Sequence, residues 1–390
     1  MQSRITGTIR RTRFGGEEVA AFVPLPLPPK DPPLALAEPM RRLLTEAEVN
    51  LATLQAAAAM IPSLDWFIYA FVRKEAVISS QVEGTQATLV DLFNYEADVR
   101  LSKADALDVK DICNHLEALN YARKQLDSQT GLPISIRLLN EAHRRLLKGV
   151  RGEQKQPGEV RTSQNWIGGS RPGNAAFVPP PPDELAACLS ALERYMHSED
   201  ESLPKLIKIA LIHAQFETIH PYLDGNGRIG RLLITLLLRE YQLLHEPLLY
   251  LSLHFKRHRR AYYESLTAVR QAGDWEGWVR FFLEGVRDVA RETADTAQHL
   301  FRLISQDRAR LMQAKEATMA TLRLFEQLPT HPIMTLDSAT DLLGSSKPTA
   351  NAALNVLVRE GILRELTGKQ RDRAFGYDTY LEVLGAGTEL

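Results

Sequence analysis

Apolar residues recur at three- and four-residue intervals over most of the 390-residue chain, the spacing of helices that bury one face. The pattern predicts helices over Pro39 to Ile61, Asp65 to about Ser80, Ala106 to Leu126, Ile134 to Leu147, Asp183 to His197, Pro204 to Ile219, Arg228 to Tyr241 and Arg257 to Gln271. From Asp274 the stretch beginning DWEGWVRFFLEGV continues as one or two long helices. Three regions depart from this rhythm. An early segment, FVPLPLPPKDPPLAL, is proline-rich and predicts an extended arm. Between Glu159 and Pro182, strand-like residues from Val160 to Ile167, turn residues from Gly168 to Asn174 and a return at Ala175 to Val178 predict a β-hairpin with a loose tip, with a plain surface loop as the alternative. After Ala317, three helical patterns precede two strand-like pieces around Gly368, the outline of a winged helix with Gly368 at the wing tip.

With 44% hydrophobic and 24% charged residues, the chain can bury the cores of two or three domains. A net charge of -1 supplies no global field for nucleic acid or an anionic membrane. Cys113 and Cys188 are far apart and fit neither a disulfide framework nor a zinc site, which favours a reducing cytosol. The opening MQSRITGTIRRTRF has no apolar targeting segment, and no apolar run has the ~18 residues of a membrane span. The expected location is cytoplasmic, with no membrane partner. In the tail, Lys347, Arg359, Arg364, Lys369, Arg371 and Arg373 are outnumbered by acidic residues. Phosphate contacts dominate DNA affinity, so DNA is the less favoured partner of the winged helix, and protein contact or homodimer packing the more favoured one.

The densest chemistry lies in TIHPYLDGNGRIGRLL, Thr218 to Leu233. Gly225, Gly227 and Gly230 match the spacing of a dinucleotide loop, but the preceding residues have helical spacing, whereas that loop must follow a strand. Read as a helix-to-helix turn, the segment offers unsatisfied N–H groups at the start of the second helix, with Gly225 and Gly227 permitting close approach of an anion. Arg228 and Arg231 share one face of the first turn and can each grip phosphate oxygens. Asp224 is a hard oxygen ligand suited to Mg²⁺ held jointly with phosphates. His220 has the chemistry of a general base. Each residue alone has a structural explanation; together they suit phosphoryl or nucleotidyl transfer. His213, without metal-ligand spacing around it, is expected to be a hydrogen-bonded core histidine.

HPYLDGNGRIGR resembles the signature of the Fic (Fido) family, with Tyr222 where phenylalanine is usual. PGEVRTSQNWIGG followed by FVPPPP resembles that family's flap, and RRAYYESL with GDWEGWVRFFLEGV its later helices. The resemblance covers about Phe22 to Val286, and the tail resembles winged helices of many bacterial members. It implies a mainly α fold: a helical core with a β-hairpin flap, an N-terminal helical region before it and a small winged-helix domain after it. The expected boundaries are 1–104, 105–290 for the core, 291–316 for a linker helix and 317–390. It further implies transfer of AMP from ATP to a Tyr, Ser or Thr hydroxyl of a target protein, with pyrophosphate leaving. His220 would be the base, Asp224 the Mg²⁺ ligand, Gly225, Asn226 and Gly227 the anion hole, and Arg228 and Arg231 the holders of the outer phosphates. Asn226 would also donate to the α-phosphate through its side chain. Members that phosphorylate carry lysine at the position of Gly227, which disfavours that chemistry. Thr162, Ser163, Trp166, Ile167 and Gly168 of the flap would dock an extended target segment. Tyr262 or Tyr263 would lie against adenine, unless both are core aromatics.

A second stretch, AVISSQVEGTQATLVDLF, contains Ser79, Glu83 and Gly84 in the arrangement of the family's N-terminal inhibitory motif. Ser79 and Glu83 are i,i+4 helical neighbours and Gly84 allows a break. The expectation is an adenylyltransferase autoinhibited by Glu83. The alternatives are removal of AMP at the same site, or a winged-helix regulator with a vestigial core.

Overall fold

The structure is a computed structural model that describes residues 4–59, 64–99, 101–199, 202–368 and 373–390. Its elements in chain order begin with strands β1 (Gly7–Phe14) and β2 (Glu17–Pro24), then helices α1 (Glu38–Ala59), α2 (Leu64–Val82), α3 (Leu89–Glu96), α4 (Lys103–Asp127), α5 (Ile136–Leu146), α6 (Pro182–Met196), α7 (Lys205–Ile219), α8 (Asn226–Glu240), α9 (Ser252–Arg257), α10 (Arg259–Ala272) and α11 (Trp275–Gln313). The tail follows with α12 (Met319–Gln327), β3 (Ile333–Thr335), α13 (Leu336–Leu343), α14 (Lys347–Arg359), β4 (Arg364–Glu365), β5 (Ala374–Gly376) and α15 (Asp378–Gly385). The protein is mainly helical with small antiparallel sheets. No helix among the described residues is long and apolar enough to cross a membrane.

Contacts divide the chain into two units. The first comprises Met1–Ala52, Cys113–Pro247 and Leu251–Ala290. Its centre is α7, buried from Leu206 to Ile219 on every face, so each of its polar side chains must find a partner inside. Lys208 Nζ donates to Ser198 O at 2.7 Å, Gln215 Nε2 to Leu25 O at 2.9 Å and Thr218 Oγ1 to Ala214 O at 2.8 Å. His213 makes two bonds, with Gly230 O at 3.1 Å and Tyr262 OH at 2.9 Å. A carbonyl only accepts, so Nδ1 carries the proton and Nε2 receives the tyrosine hydroxyl. This is the core histidine that its spacing suggested. Buried Trp278 ties α11 to the same helix through Nε1 on Ala210 O at 2.8 Å.

The second unit comprises Thr53–Ile112, Leu248–Tyr250 and Arg291–Leu390. Phe67 and Phe71 of α2 pack with ring centroids 4.3 Å apart, and Phe71 stacks on Tyr250. In the tail, β3, β5 and β4 lie in that order, with Met334 and Glu365 both opposite Phe375. Tyr377 OH donates to Asp307 at 2.6 Å, and burial together with this carboxylate raises its pKa. Gly368 lies between β4 and β5 with φ +59°; Lys369 and Arg371 of the expected wing are outside the described residues.

Several expectations need correcting. The N-terminal arm opens as a hairpin: β1 and β2 pair from Gly7↔Pro24 to Phe14↔Glu17, closed by Gly15 and Gly16 at φ +59° and +86°, the double positive φ of a tight hairpin turn. The flap contains no paired strands beyond the single bridge Ile167↔Phe177, because Gly168 and Gly169 turn early, at φ +69° and +73°. The helix expected over Arg257 to Gln271 breaks at His258, between α9 and α10. Helix α3 was not foreseen; it is fixed by a reciprocal cap in which Thr88 and Asp91 bond each other's backbone N–H.

Burial holds His213 near pKa 3 and His254 near 4, from an ordinary 6.5. Both are therefore neutral when folded but take up protons when unfolded at lower pH. Their contribution is complete above pH 6.5 and is lost as pH falls from there toward 4, at up to about 1.4 kcal/mol per pH unit for each histidine. Chemical denaturation should show stability declining already between pH 6.5 and 5, above the range in which carboxylates protonate; a flat profile there would contradict the assignment.

Candidate active site

The turn between α7 and α8 belongs to the first unit. Helix α7 ends because His220 adopts the left-handed conformation, φ 50° and ψ 62°, while its N–H still reaches Phe216 O at 2.9 Å. Pro221 follows and disfavours a helical His220. Gly225, also left-handed at φ 78°, precedes the first residue of α8. Having no side chain, it leaves the first-turn N–H groups uncapped by its own residue, and the first turn has no acidic residue. Arg228 and Arg231 follow, buried to 6% and 2% exposure. Four of the expected features, His220, Asp224, the glycine-flanked helix start and the arginine pair, thus share one turn.

What shapes that turn is a set of bonds the sequence did not announce. The Asn226 amide grips the backbone of Tyr222 from both sides: Oδ1 accepts the Tyr222 N–H and Nδ2 donates to the Tyr222 carbonyl, each at 2.8 Å. Closing the turn uses Oδ1 and one of the two Nδ2 hydrogens of Asn226. Tyr222 is buried, its hydroxyl donates to Asn140 Oδ1 at 2.8 Å, and its ring lies on that of His143 at 3.9 Å, nearly parallel. The extra oxygen relative to phenylalanine thus has a partner.

His143 is the main residue missed from sequence. Its Nδ1 accepts the Gly158 N–H at 2.8 Å, so Nε2 carries the proton and donates to the Asp224 carbonyl at 2.9 Å. Burial pulls it down to about pKa 4, which keeps this tautomer neutral. Only the EAHRRLL helix pattern placed it on a buried face; nothing local pointed to the loop 81 residues on. His115 on α4 was missed as well. It is 2% exposed and held neutral, near pKa 3, by burial and then by the charges of Arg228 and Arg231.

The Asp224 carboxylate remains accessible at 38% exposure, with Oδ1 accepting the Gly225 N–H and 3.8 Å from Arg228. Its other oxygen faces Gly152, where a Cβ would stand 2.6 Å away. In the flap, Thr162, Ser163 and Gly168 are exposed, while Trp166 and Ile167 are half-buried. Trp166 packs on Val19, Ala21 and Val178, joining the flap to the N-terminal hairpin, and the Phe22 N–H donates to Val178 O at 2.9 Å. Asn165 Nδ2 reaches Tyr222 O at 3.2 Å. Tyr262, one of the two residues expected at adenine, is a core aromatic: 1% exposed, bonded to His213 and stacked on Phe255 at 4.5 Å. Tyr263 is 42% exposed. Ser79, Glu83 and Gly84 belong to the second unit, where Ser79 is fully buried in α2, Glu83 is half-buried just beyond it and Gly84 turns at φ +98°.

A model of the Fic/DOC family matches residues 133–238, and one of the Fic/DOC family N-terminal region matches 41–124. The chain is similar to a protein adenylyltransferase Fic of Drosophila yakuba, 34% identical over 197 residues that make up 49% of this chain and 35% of that protein. Its counterpart in Drosophila willistoni is 32% identical over 262 residues, 64% of this chain and 47% of that one. The chain thus spans about a third to a half of the length of these curated relatives. Among solved structures, a Fic family protein from Desulfovibrio desulfuricans G20 superposes over 89% of this chain and 98% of that one, with TM-score 0.55 and 20% identity. A Fic domain containing signaling protein from Bacteroides thetaiotaomicron does so over 67% and 97%, with TM-score 0.52 and 18% identity. These two likenesses establish the fold.

If Asn226 closes the turn, Asn226→Ala leaves the buried Tyr222 N–H without its partner and its carbonyl with only the longer Asn165 bond, and should destabilise the protein by about 1–3 kcal/mol. Asn226→Asp, which restores only an acceptor, should also destabilise. Urea unfolding of both variants checks this; wild-type stability in the Ala variant would remove the clamp from the account.

Proposed function

Because the chain belongs to the Fic/DOC family, we propose that it is a protein adenylyltransferase, transferring AMP from ATP to a Tyr, Ser or Thr hydroxyl of a target protein. The observation that carries this reading is the single turn holding a histidine, an accessible carboxylate and a helix start followed by two buried arginines. In the reaction the target oxygen attacks the α-phosphorus, the bond to the β-phosphate breaks, and pyrophosphate leaves. His220 takes the hydroxyl proton. The N–H groups around Gly225 and Gly227 receive negative charge from the α-phosphate, and Arg228 and Arg231 hold the outer phosphates.

Asp224 fits a Mg²⁺ ion bound through one carboxylate, since its side chain is accessible and its Oδ2 lies beside Gly152, where a side chain would crowd it. Such an ion, when bound, supplies charge compensation for the leaving pyrophosphate. Among the described residues no cluster of three metal-ligating side chains exists; the remaining ligands of such an ion would come from phosphate and water. Tyr263 remains the candidate for the adenine. Thr162, Ser163 and Ile167 through Gly168 would present the target segment. Glu83, with Ser79 and Gly84, is proposed to hold the enzyme off by competing for Arg231, the group needed at the γ-phosphate. The 317–390 tail is read as a winged helix that contacts protein, a second copy of the chain included, in preference to DNA, because of its acidic balance.

The test is incorporation of label from α-labelled ATP into the chain itself and into proteins of a lysate. Glu83→Gly should raise labelling, with kcat rising more than the affinity for ATP. Adding His220→Ala should lower it by roughly 10² to 10⁴ while ATP binding persists. Equal labelling with and without His220 would overturn the base assignment; no gain from Glu83→Gly over a range of ATP concentrations would overturn the inhibition.

A further inference from the structure

Arg161 is only 2% exposed and carries a full charge into the interior. Among the described residues no carboxylate pairs with it; all its hydrogen bonds go to main-chain carbonyls. Nε donates to His220 O at 2.9 Å, Nη1 to Ser163 O at 3.0 Å and Nη2 to Pro180 O at 2.6 Å, with a longer bond to Ile219 O at 3.5 Å. Its own N–H donates to Pro221 O at 2.9 Å. Burying a guanidinium without a counter-ion is expensive. Burial does lower its affinity for the proton, to about pKa 10, yet leaves it charged at neutral pH. Part of the cost is offset by its place at the C-terminal end of α7, where the helix dipole is negative.

The three segments it joins are the point. Ser163 lies on the outgoing leg of the flap, Pro180 on the returning leg, and Ile219 to Pro221 frames the catalytic histidine. His220 sits in a left-handed conformation that is unfavourable for a non-glycine residue and persists only where its surroundings over-determine it. We propose that Arg161 is the positioning residue that couples the flap to the catalytic base: one guanidinium fixes the His220 peptide and both legs of the flap, so that a hydroxyl presented on the flap arrives in register with the imidazole. Arg270 provides an internal contrast. It donates to Thr218 Oγ1 and Glu217 O, both at 3.1 Å, and lies 4.0 Å over the Phe177 ring. It therefore secures the returning leg to α7 without touching the His220 peptide.

The inference rests on the transferase reading, and its test separates the two. In the Glu83→Gly background, α-labelled ATP with the chain and a lysate gives transfer, and NMR of histidine-labelled protein gives the His220 ring resonance. Arg161→Ala should lower kcat by roughly 10²-fold, the cost of about 1 Å of misplacement, with KM for ATP changed no more than about twofold, and should shift the His220 resonance. Millimolar guanidinium should recover part of kcat and move the resonance back, whereas tetramethylammonium at equal ionic strength should do neither. Arg270→Ala should leave the His220 resonance in place. If Arg161→Ala does not fold, Arg161→Lys, which keeps charge but not the three-way fork, should show the same kcat loss at near-normal stability. A folded Ala or Lys variant with normal kcat and an unmoved resonance overturns the proposal. So does a parallel loss of kcat and ATP affinity without guanidinium rescue, which would make Arg161 a residue of the fold alone. If no protein is labelled by the parent, the transferase reading fails, and a displaced His220 resonance in the Arg161 variants still supports the coupling.

Discussion

The first unit depends on reversing the chain between two buried helices, where protein groups must complete most of the backbone hydrogen bonds. Helix α7 is enclosed along its length and α8 nearly so, so the intervening residues must be satisfied by protein groups. Two left-handed residues, His220 and Gly225, supply the geometry. Asn226 closes the turn on Tyr222, His143 takes the Asp224 carbonyl, and Arg161 takes the carbonyls at the end of α7. The side chains that build the turn are thus distinct from those that would do chemistry on it, which is how a short loop can hold a base and an anion site with fixed geometry.

His115, His143 and His213 are buried and held neutral, and His143 and His213 each use one ring nitrogen as donor and the other as acceptor. Arg161 and Arg270 are buried as cations on carbonyls and an aromatic face, and burial lowers both toward pKa 10. Arg228 and Arg231 add two more cations beside the helix start, where the α8 dipole is also positive.

The flap takes its order from neighbours, not from its own pairing. A single bridge joins its legs. Its apolar side rests on the β1–β2 hairpin through Trp166 and Val178, and the Phe22 N–H completes the backbone of its return leg. The N-terminal hairpin therefore belongs to the same unit as the flap in physical terms, although it precedes the flap by more than a hundred residues.

The sequence by itself determined most helices, because a 3.6-residue period needs only the buried face to be apolar. It also singled out the candidate site, because His220, Asp224, Gly225, Asn226, Gly227, Arg228 and Arg231 are close in the chain and their chemistry is local. The Tyr-for-Phe exchange at 222 was legible too, given a partner for the hydroxyl, though not that Asn140 would be that partner. What remained hidden was each role that depends on distant carbonyls or rings. His143 and Arg161 look like ordinary members of EAHRRLL and GEVRTS until folding brings Asp224 and His220 to them. The Asn226 clamp on Tyr222 was equally hidden, and Tyr262, which the sequence left open between an adenine contact and a core aromatic, lies against His213 and Phe255. Periodicity reports which face is buried, and local motifs report which groups are adjacent; only tertiary structure decides which buried donor meets which acceptor, because that pairing is set by segments with no constraint on their separation in sequence.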